Sequence, residues 1–130
     1  MKGIKVYCPL GKSPQVGDFL DGQEAKFREK LILMLYRLPQ TPRSVLKEPH
    51  YKHFSIERYR NLYELREKGH VLVRIIFTHQ SDGSVLLLYA FVKRQKRDTM
   101  QALEQSLRIL AELREHPEYA VEFKVKEEAQ

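Results

Sequence analysis

The sequence predicts an α+β fold, because helical and alternating hydrophobic patterns occupy separate parts of the chain. Apolar residues at helical spacing come first, over residues 15–38. Residues 62–92 then alternate apolar and polar side chains in three runs, which predicts an antiparallel meander. A second helical pattern follows from residue 98. At 130 residues with 42% hydrophobic content, the chain fits a single domain over residues 1–130.

Short elements are predicted before the meander. Residues 5–9 can form a strand, and Ser13 and Pro14 precede a short helix closed at Gly22. A longer helix begins at Gln23 and stops before Pro39. Residues 39–61 contain three prolines and no sustained period, which predicts a long surface connection.

Within the meander, Ser81-Asp82-Gly83 is typical of a hairpin turn. Asp98 is the expected cap of the third helix, whose predicted apolar face is Met100, Leu103, Leu107, Leu110 and Ala111. Alternation over residues 119–125 allows a last edge strand.

Positive charge is concentrated in the middle of the chain. Residues 26–97 hold sixteen Lys or Arg against six acids, whereas residues 98–130 hold four against eight. Such a distribution is typical of a surface that binds a polyanion, although a solvated charged face gives the same count. One cysteine and no long apolar run predict a cytoplasmic protein without disulfides or a membrane span.

Arg74 is the most informative single residue, because arginine is seldom buried in mid-strand unless it is paired. It could salt-bridge Glu64 or Glu67 on the preceding strand as a purely structural pair. Alternatively, Arg74, Arg66 and Glu64 share one face of the sheet, and Lys93 and Arg94 reach it from the next strand. Such cations would stabilise a phosphodiester transition state, and a carboxylate among them could take a proton from a ribose 2′-hydroxyl.

Other residues are candidate RNA contacts. Lys96 and Arg97 follow Lys93 and Arg94, and cations at a helix N-terminus oppose the helix dipole unless an anion binds there. In the 39–61 connection, His50, Lys52 and His53 surround Tyr51 and could line an RNA path or simply be a surface loop. The two histidines have no third ligand in view, so no metal site is expected. Tyr89 could stack on a base, although a mid-strand tyrosine is more often part of the core.

The stretch LYELREKGHVLVRIIFTHQSDGSVLLLYAFVKRQKRDTMQALEQSLRIL, residues 62–110, resembles the RelE/ParE toxin superfamily, and most closely its HigB-like, phage-derived branch. The order and spacing of the "LYELR" strand, the arginine strand, the hairpin, the "LLLYAFVKR" strand and the leucine-rich helix carry the resemblance. It implies two N-terminal helices packed on a twisted antiparallel sheet, with a further helix after the meander.

The resemblance also implies an activity. RelE and HigB relatives are toxins of type II toxin–antitoxin systems that cleave mRNA, usually on the ribosome, by 2′-hydroxyl attack and without metal or cofactor. The family's strand arginine falls on Arg74 and its basic pair on Lys93 and Arg94, while the lysines of the first meander strand fall at Glu64 and Arg66. Glu64 is then a general-base candidate. A cognate antitoxin is the implied protein partner.

Two alternatives to an endoribonuclease follow from the same resemblance. One is a toxin-fold protein that inhibits its target by contact, as the ParE branch does with DNA gyrase. The other is an inactive phage-derived RNA-binding protein.

Overall fold

The structure is a computed structural model that describes residues 3–125. Within these residues the chain forms three α-helices and one sheet of six strands. The helices are α1 (Gln15–Asp21), α2 (Ala25–Arg37) and α3 (Lys96–Glu115). The strands are β1 (Ile4–Tyr7), β2 (Tyr51–His53), β3 (Tyr63–Lys68), β4 (Leu72–His79), β5 (Val85–Lys93) and β6 (Ala120–Glu122). The predicted α+β class is confirmed.

The sheet has the order β2-β3-β4-β5-β1-β6. Strands β3, β4 and β5 form the predicted antiparallel meander. The sheet is otherwise mostly antiparallel, and its one parallel pair among the described strands is β1 with β5, where Val6 lies beside Leu87. The predicted last strand exists as β6, which pairs antiparallel with β1.

Helices α1 and α2 pack on one face of the sheet, hereafter the α1/α2 face. Leu31 and Leu35 lie four residues apart on α2 and are fully buried against strand residues such as Phe77. The Glu24 carboxylate accepts hydrogen bonds from the amides of Lys26 and Phe27 and so caps α2. This helix therefore begins at Ala25 rather than at Gln23.

Helix α3 packs on the opposite face, hereafter the α3 face, and mainly on β5. Its buried residues differ from the predicted apolar face, since Met100 and Ala111 are exposed. Ser106 is fully buried instead, because its hydroxyl donates to the carbonyl of Ala102 within the helix at 2.8 Å. The buried residues of α3 are Ala102, Leu103, Ser106, Ile109 and Leu113.

The N-terminus of α3 also differs from the expectation. Gln95 is the N-cap, and Asp98 lies in the first turn, where its carboxylate accepts from the amides of Arg94 at 2.8 Å and Gln95 at 2.9 Å. Asp98 therefore stabilises the helix start as the acidic half of a capping box.

The predicted surface connection over residues 39–61 contains a strand. Within it, β2 pairs with β3, setting Tyr51 beside Leu65 and Lys52 beside Glu64. Phe54 and Tyr59 are buried in the α3-face core, and the Tyr59 hydroxyl donates to Glu104 of α3 at 2.5 Å. A three-residue edge strand held by distant partners leaves no periodic pattern in its own sequence.

Gln15 of α1 holds the free edge of β5. Because β1 pairs with β5 only over Val85 to Leu87, the backbone of Ala90 has no strand neighbour on that side. The Gln15 side chain accepts from the Ala90 amide at 2.8 Å and donates to its carbonyl at 2.7 Å. These two bonds hold the end of β5 in place, just before the basic residues that follow it.

None of the helices in the described part is both long and apolar enough to cross a membrane.

Candidate functional site

Strand register brings charged residues together at one end of the α3 face. Because side chains alternate between faces, residues paired across neighbouring strands share a face. Leu72, next to the β3–β4 turn, remains 37% exposed there, so α3 leaves this end of the face open. Three adjacent rows result: Lys52, Glu64, Ile76 and Tyr89; then Arg66, Arg74 and Phe91; then Lys68, Leu72 and Lys93.

Glu64 lies at the centre of this group and is fully buried. Its Oε1 accepts from Arg66 Nε at 2.7 Å and lies 3.6 Å from Arg74 Nε. Arg66 also reaches Glu48 Oε1 at 3.2 Å. The sequence predicted that Glu64, Arg66 and Arg74 share a face, and the structure brings them together. We call these three residues the Glu64 cluster.

Arg74 is the member of the Glu64 cluster whose hydrogen-bond donors are left unpaired in the described part of the chain. Its side chain is only 13% exposed, and its guanidinium makes no hydrogen bond within residues 3–125. Arg66 is its direct cross-strand partner, and like charges in that position repel. Burial lowers the pKa of Arg74, an effect that Glu64 opposes and Arg66 strengthens. A buried guanidinium with free donors is suited to binding an anion.

The basic residues after β5 lie at the same end of the sheet. Lys93 belongs to the row next to Arg74, while Arg94, Lys96 and Arg97 are exposed at the start of α3. Two backbone amides at this junction, those of Arg94 and Gln95, already donate to the Asp98 carboxylate, and the same bonds lower its pKa. An anion here would be bound by side chains.

The candidate RNA contacts of the 39–61 segment, His50, Lys52 and His53, lie at different places in the structure. Lys52 is in the row of Glu64, and its ammonium lies 5.6 Å from the centre of the Phe54 ring. His50 is not part of the Glu64 cluster, because its Nδ1 lies 3.5 Å from Oε2 of Glu67, the other buried carboxylate of β3. His53 stacks on Tyr63 at 4.4 Å between ring centres. Tyr63 packs with the α1/α2-face core, so His53 is remote from the Glu64 cluster.

Tyr89 is half-buried beside the α3-face core. Its ring stacks with that of Phe91 at 6.2 Å, and its cross-strand partner is the buried Ile76. The ring is thus already engaged in packing, as expected of a mid-strand tyrosine.

Comparison with protein families agrees with this architecture. The family model described as Phage derived protein Gp49-like (DUF891) matches residues 18–115, which include α2, the meander and α3. The chain belongs to the Gp49-like family. This family is a toxin–antitoxin-associated family of RelE-like toxins, and membership in it suggests a toxin with a cognate antitoxin. No curated protein matches the chain.

The sequence did not single out two residues that stand out in the structure of this Gp49-like chain. Lys68 continues the alternation of Glu64 and Arg66 by one step, so extending that pattern would have found it. His79 lies at the end of β4, where its Nε2 is buried without a hydrogen-bond partner within residues 3–125. Burial lowers its pKa to about 4. No group of three or more potential metal ligands occurs within residues 3–125.

Proposed function

We propose that this Gp49-like toxin is a HigB-type endoribonuclease that cleaves mRNA on the ribosome, without metal, by attack of a ribose 2′-hydroxyl. The observation that carries the proposal is Arg74, a guanidinium almost buried in the sheet with unused hydrogen-bond donors. An arginine held for stability alone would be expected to bond its carboxylate fully.

A phosphodiester supplies what Arg74 lacks. Its non-bridging oxygens accept paired N–H donors, and they gain negative charge in the pentacovalent transition state. Arg66 lies beside Arg74 in the same row, and Lys93 lies in the next row. The three cations Arg66, Arg74 and Lys93 can therefore face one phosphate. Lys52, Arg94, Lys96 and Arg97 extend this surface for the rest of the strand.

Glu64 has two roles in the proposal. Its Oε1 holds Arg66 and faces Arg74, and so positions both guanidinium groups. Its Oε2 has no hydrogen-bond partner in the described part of the chain and is the atom that would accept the 2′-hydroxyl proton. Because Glu64 is fully buried, this second role requires Arg66 and the segment carrying Glu48 to move when RNA binds.

The bond changes balance without a metal or cofactor. The 2′-oxygen bonds to phosphorus as its proton passes to the base, and the bond from phosphorus to the 5′-oxygen breaks. The 5′-oxygen is protonated, which leaves a 2′,3′-cyclic phosphate and a 5′-hydroxyl. The cations stabilise the charge on phosphorus throughout.

The antitoxin would neutralise the toxin by covering this surface. An acidic or amphipathic helical segment fits a basic face with exposed apolar positions, because it combines charge complementarity with apolar burial. Leu72 and Met100 are such apolar positions near the cations.

Brief induced expression in bacteria tests the proposal, with mRNA 5′ ends mapped by primer extension. Wild type and the control Arg108→Ala should produce new ends and growth arrest, whereas Arg74→Ala should lower cleavage about 100-fold or more. Growth arrest without new ends would overturn the proposal and point to inhibition by contact, as in a gyrase inhibitor. The absence of any arrest would point to an inactive RNA-binding protein.

A further inference from the structure

We propose that Lys68 and His70 bind a second RNA phosphate, next to the one at Arg74, so that the substrate is a single strand held at two or more consecutive phosphates. The inference rests on the proposed function and deepens it. It assigns a binding role to the β3–β4 turn, which lies beyond the Glu64 cluster.

The register places the second site one row beyond the first. Lys68 pairs with Leu72, and Leu72 pairs with Lys93, so the row runs across three strands on the α3 face. Arg66 and Arg74 form the preceding row. Arg66 lies two residues before Lys68 on β3, and Arg74 lies two residues after Leu72 on β4. Two residues of strand span about 6.7 Å. A nucleotide step in an unstacked strand is of similar length, so neighbouring phosphates can meet neighbouring rows.

A cavity of about 250 Å³ lies at this position, between the β3–β4 turn and the end of β5. Such a volume is below that of pockets for whole small-molecule ligands and suits a phosphate group with part of its ribose. Its lining residues are Lys68, His70, Val71, Leu72, Val92, Lys93 and Arg94.

No acidic side chain lines the cavity, although the Asp98 carboxylate interacts with Arg94 from the start of α3. Within residues 3–125, no ion pair involves Lys68, Lys93 or Arg94. Lys30, at the same end of the molecule, shows the contrast, because its ammonium contacts Glu67 at 2.9 Å. Mutual repulsion among close, unpaired cations is relieved by a bound anion.

RNA is the occupant that the surroundings favour. The cavity adjoins the row of Arg74, so one backbone can pass from one site to the other. Val71 and Leu72 are 36% and 37% exposed and offer an apolar surface to a sugar or base edge. Alternating phosphate and apolar contacts are typical of single-strand binding.

Binding of a single-stranded RNA tests the inference, with the oligonucleotide methylated at every 2′-oxygen so that it cannot be cleaved. Fluorescence anisotropy over a salt series gives the affinity and its dependence on salt. Lys68→Ala and His70→Ala should each weaken binding several-fold, and Lys68→Ala should reduce the log–log salt slope by about 0.7. Lys68→Arg should restore both quantities.

The matched control is Arg108→Ala, because Arg108 is exposed on α3 twelve residues after Lys96, a distance of about 18 Å. It should bind as wild type does. If Lys68→Ala keeps the wild-type affinity and slope while Arg74→Ala loses affinity, the inference is wrong and the proposed function stands. If Lys68→Ala weakens only antitoxin binding, the surface belongs to the antitoxin, and the inference is again wrong. Failure of the wild type to bind RNA would overturn both.

Discussion

Two buried carboxylates lie three residues apart on β3 and serve different purposes. Glu67 is 8% exposed and meets Lys30 and His50, whose side chains are each 57% exposed. Glu64 is fully buried and meets Arg66 and Arg74, which are only 20% and 13% exposed. The Glu67 group keeps its cations in water, whereas the Glu64 cluster also withdraws its cations from water and leaves one without a hydrogen bond. The first arrangement is a structural ion pair, and the second is the one at which we propose that a ligand binds.

The largest difference between the two groups should appear when the carboxylates are neutralised. Glu64→Gln leaves the nearly buried Arg74 guanidinium without its counter-charge and Arg66 with only Glu48. We expect the free energy of unfolding to fall by about 3 kcal/mol or more. Glu67→Gln releases exposed cations to water and should cost about 1 kcal/mol or less. Urea denaturation measures both, and equal losses would contradict the comparison.

The two arginines of the Glu64 cluster should differ as well. Arg66→Met removes a 2.7 Å charged hydrogen bond to a buried acceptor, and we expect a loss of about 2 kcal/mol. Arg74→Met replaces a buried cation that has no hydrogen bond, so stability should change by less than about 1 kcal/mol. RNA binding should fall in both variants. A strongly destabilised Arg74→Met would show that Arg74 is held for the fold.

Anion binding gives a smaller and more specific effect. A short 2′-O-methylated RNA at about ten times its Kd should raise the unfolding free energy of wild type by about 1.4 kcal/mol. The increase should disappear in Arg74→Met and persist in Lys30→Met, which removes a cation from the Glu67 group. Thermal denaturation with and without the RNA provides the measurement. The same increase in Arg74→Met would place the binding site elsewhere.

An effect confined to acidic pH concerns His79, whose imidazole Nε2 is buried without a hydrogen-bond partner in the described part of the chain. Its pKa is lowered from 6.5 to about 4, chiefly by burial and further by Arg43 and His53. The unfolded chain binds the proton more tightly, so the stability contribution is complete above pH 6.5 and is lost as the pH falls towards 4. NMR titration of the imidazole should show the lowered midpoint, and His79→Gln should remove this part of the pH dependence. A midpoint near 6.5 would contradict the burial of the ring.

The faces of the meander could be predicted from the sequence because alternation is a local property. The spacing of Glu64, Arg66 and Arg74 set them on one face, and the structure placed them within contact distance. The pairing of β2 with β3 could not be predicted, because three residues with no pattern depend on partners elsewhere in the chain. The same limit applies to Gln15, whose role arises only because β1 leaves part of β5 unpaired.

Charge alone could not reveal the local bonding at the start of α3. The sequence showed the cations there, but not that Asp98 accepts from the amides of Arg94 and Gln95 from within the helix. The burial of Glu64 could likewise not be predicted from the sequence, because alternation shows which face a side chain is on but not how far other residues cover that face. His50 and His53, three residues apart, turn to different partners because a strand begins between them.

The chemistry of the cleaved RNA ends tests the central claim most directly. Ribosomes carrying an mRNA would be incubated with wild type, Arg74→Met or Lys30→Met in the presence of a chelator. We predict 2′,3′-cyclic phosphate and 5′-hydroxyl ends with wild type and Lys30→Met, and almost none with Arg74→Met. Cleavage by Arg74→Met at the wild-type rate, or products with 5′-phosphate ends, would contradict a Glu64 cluster that acts on the phosphate by 2′-hydroxyl attack.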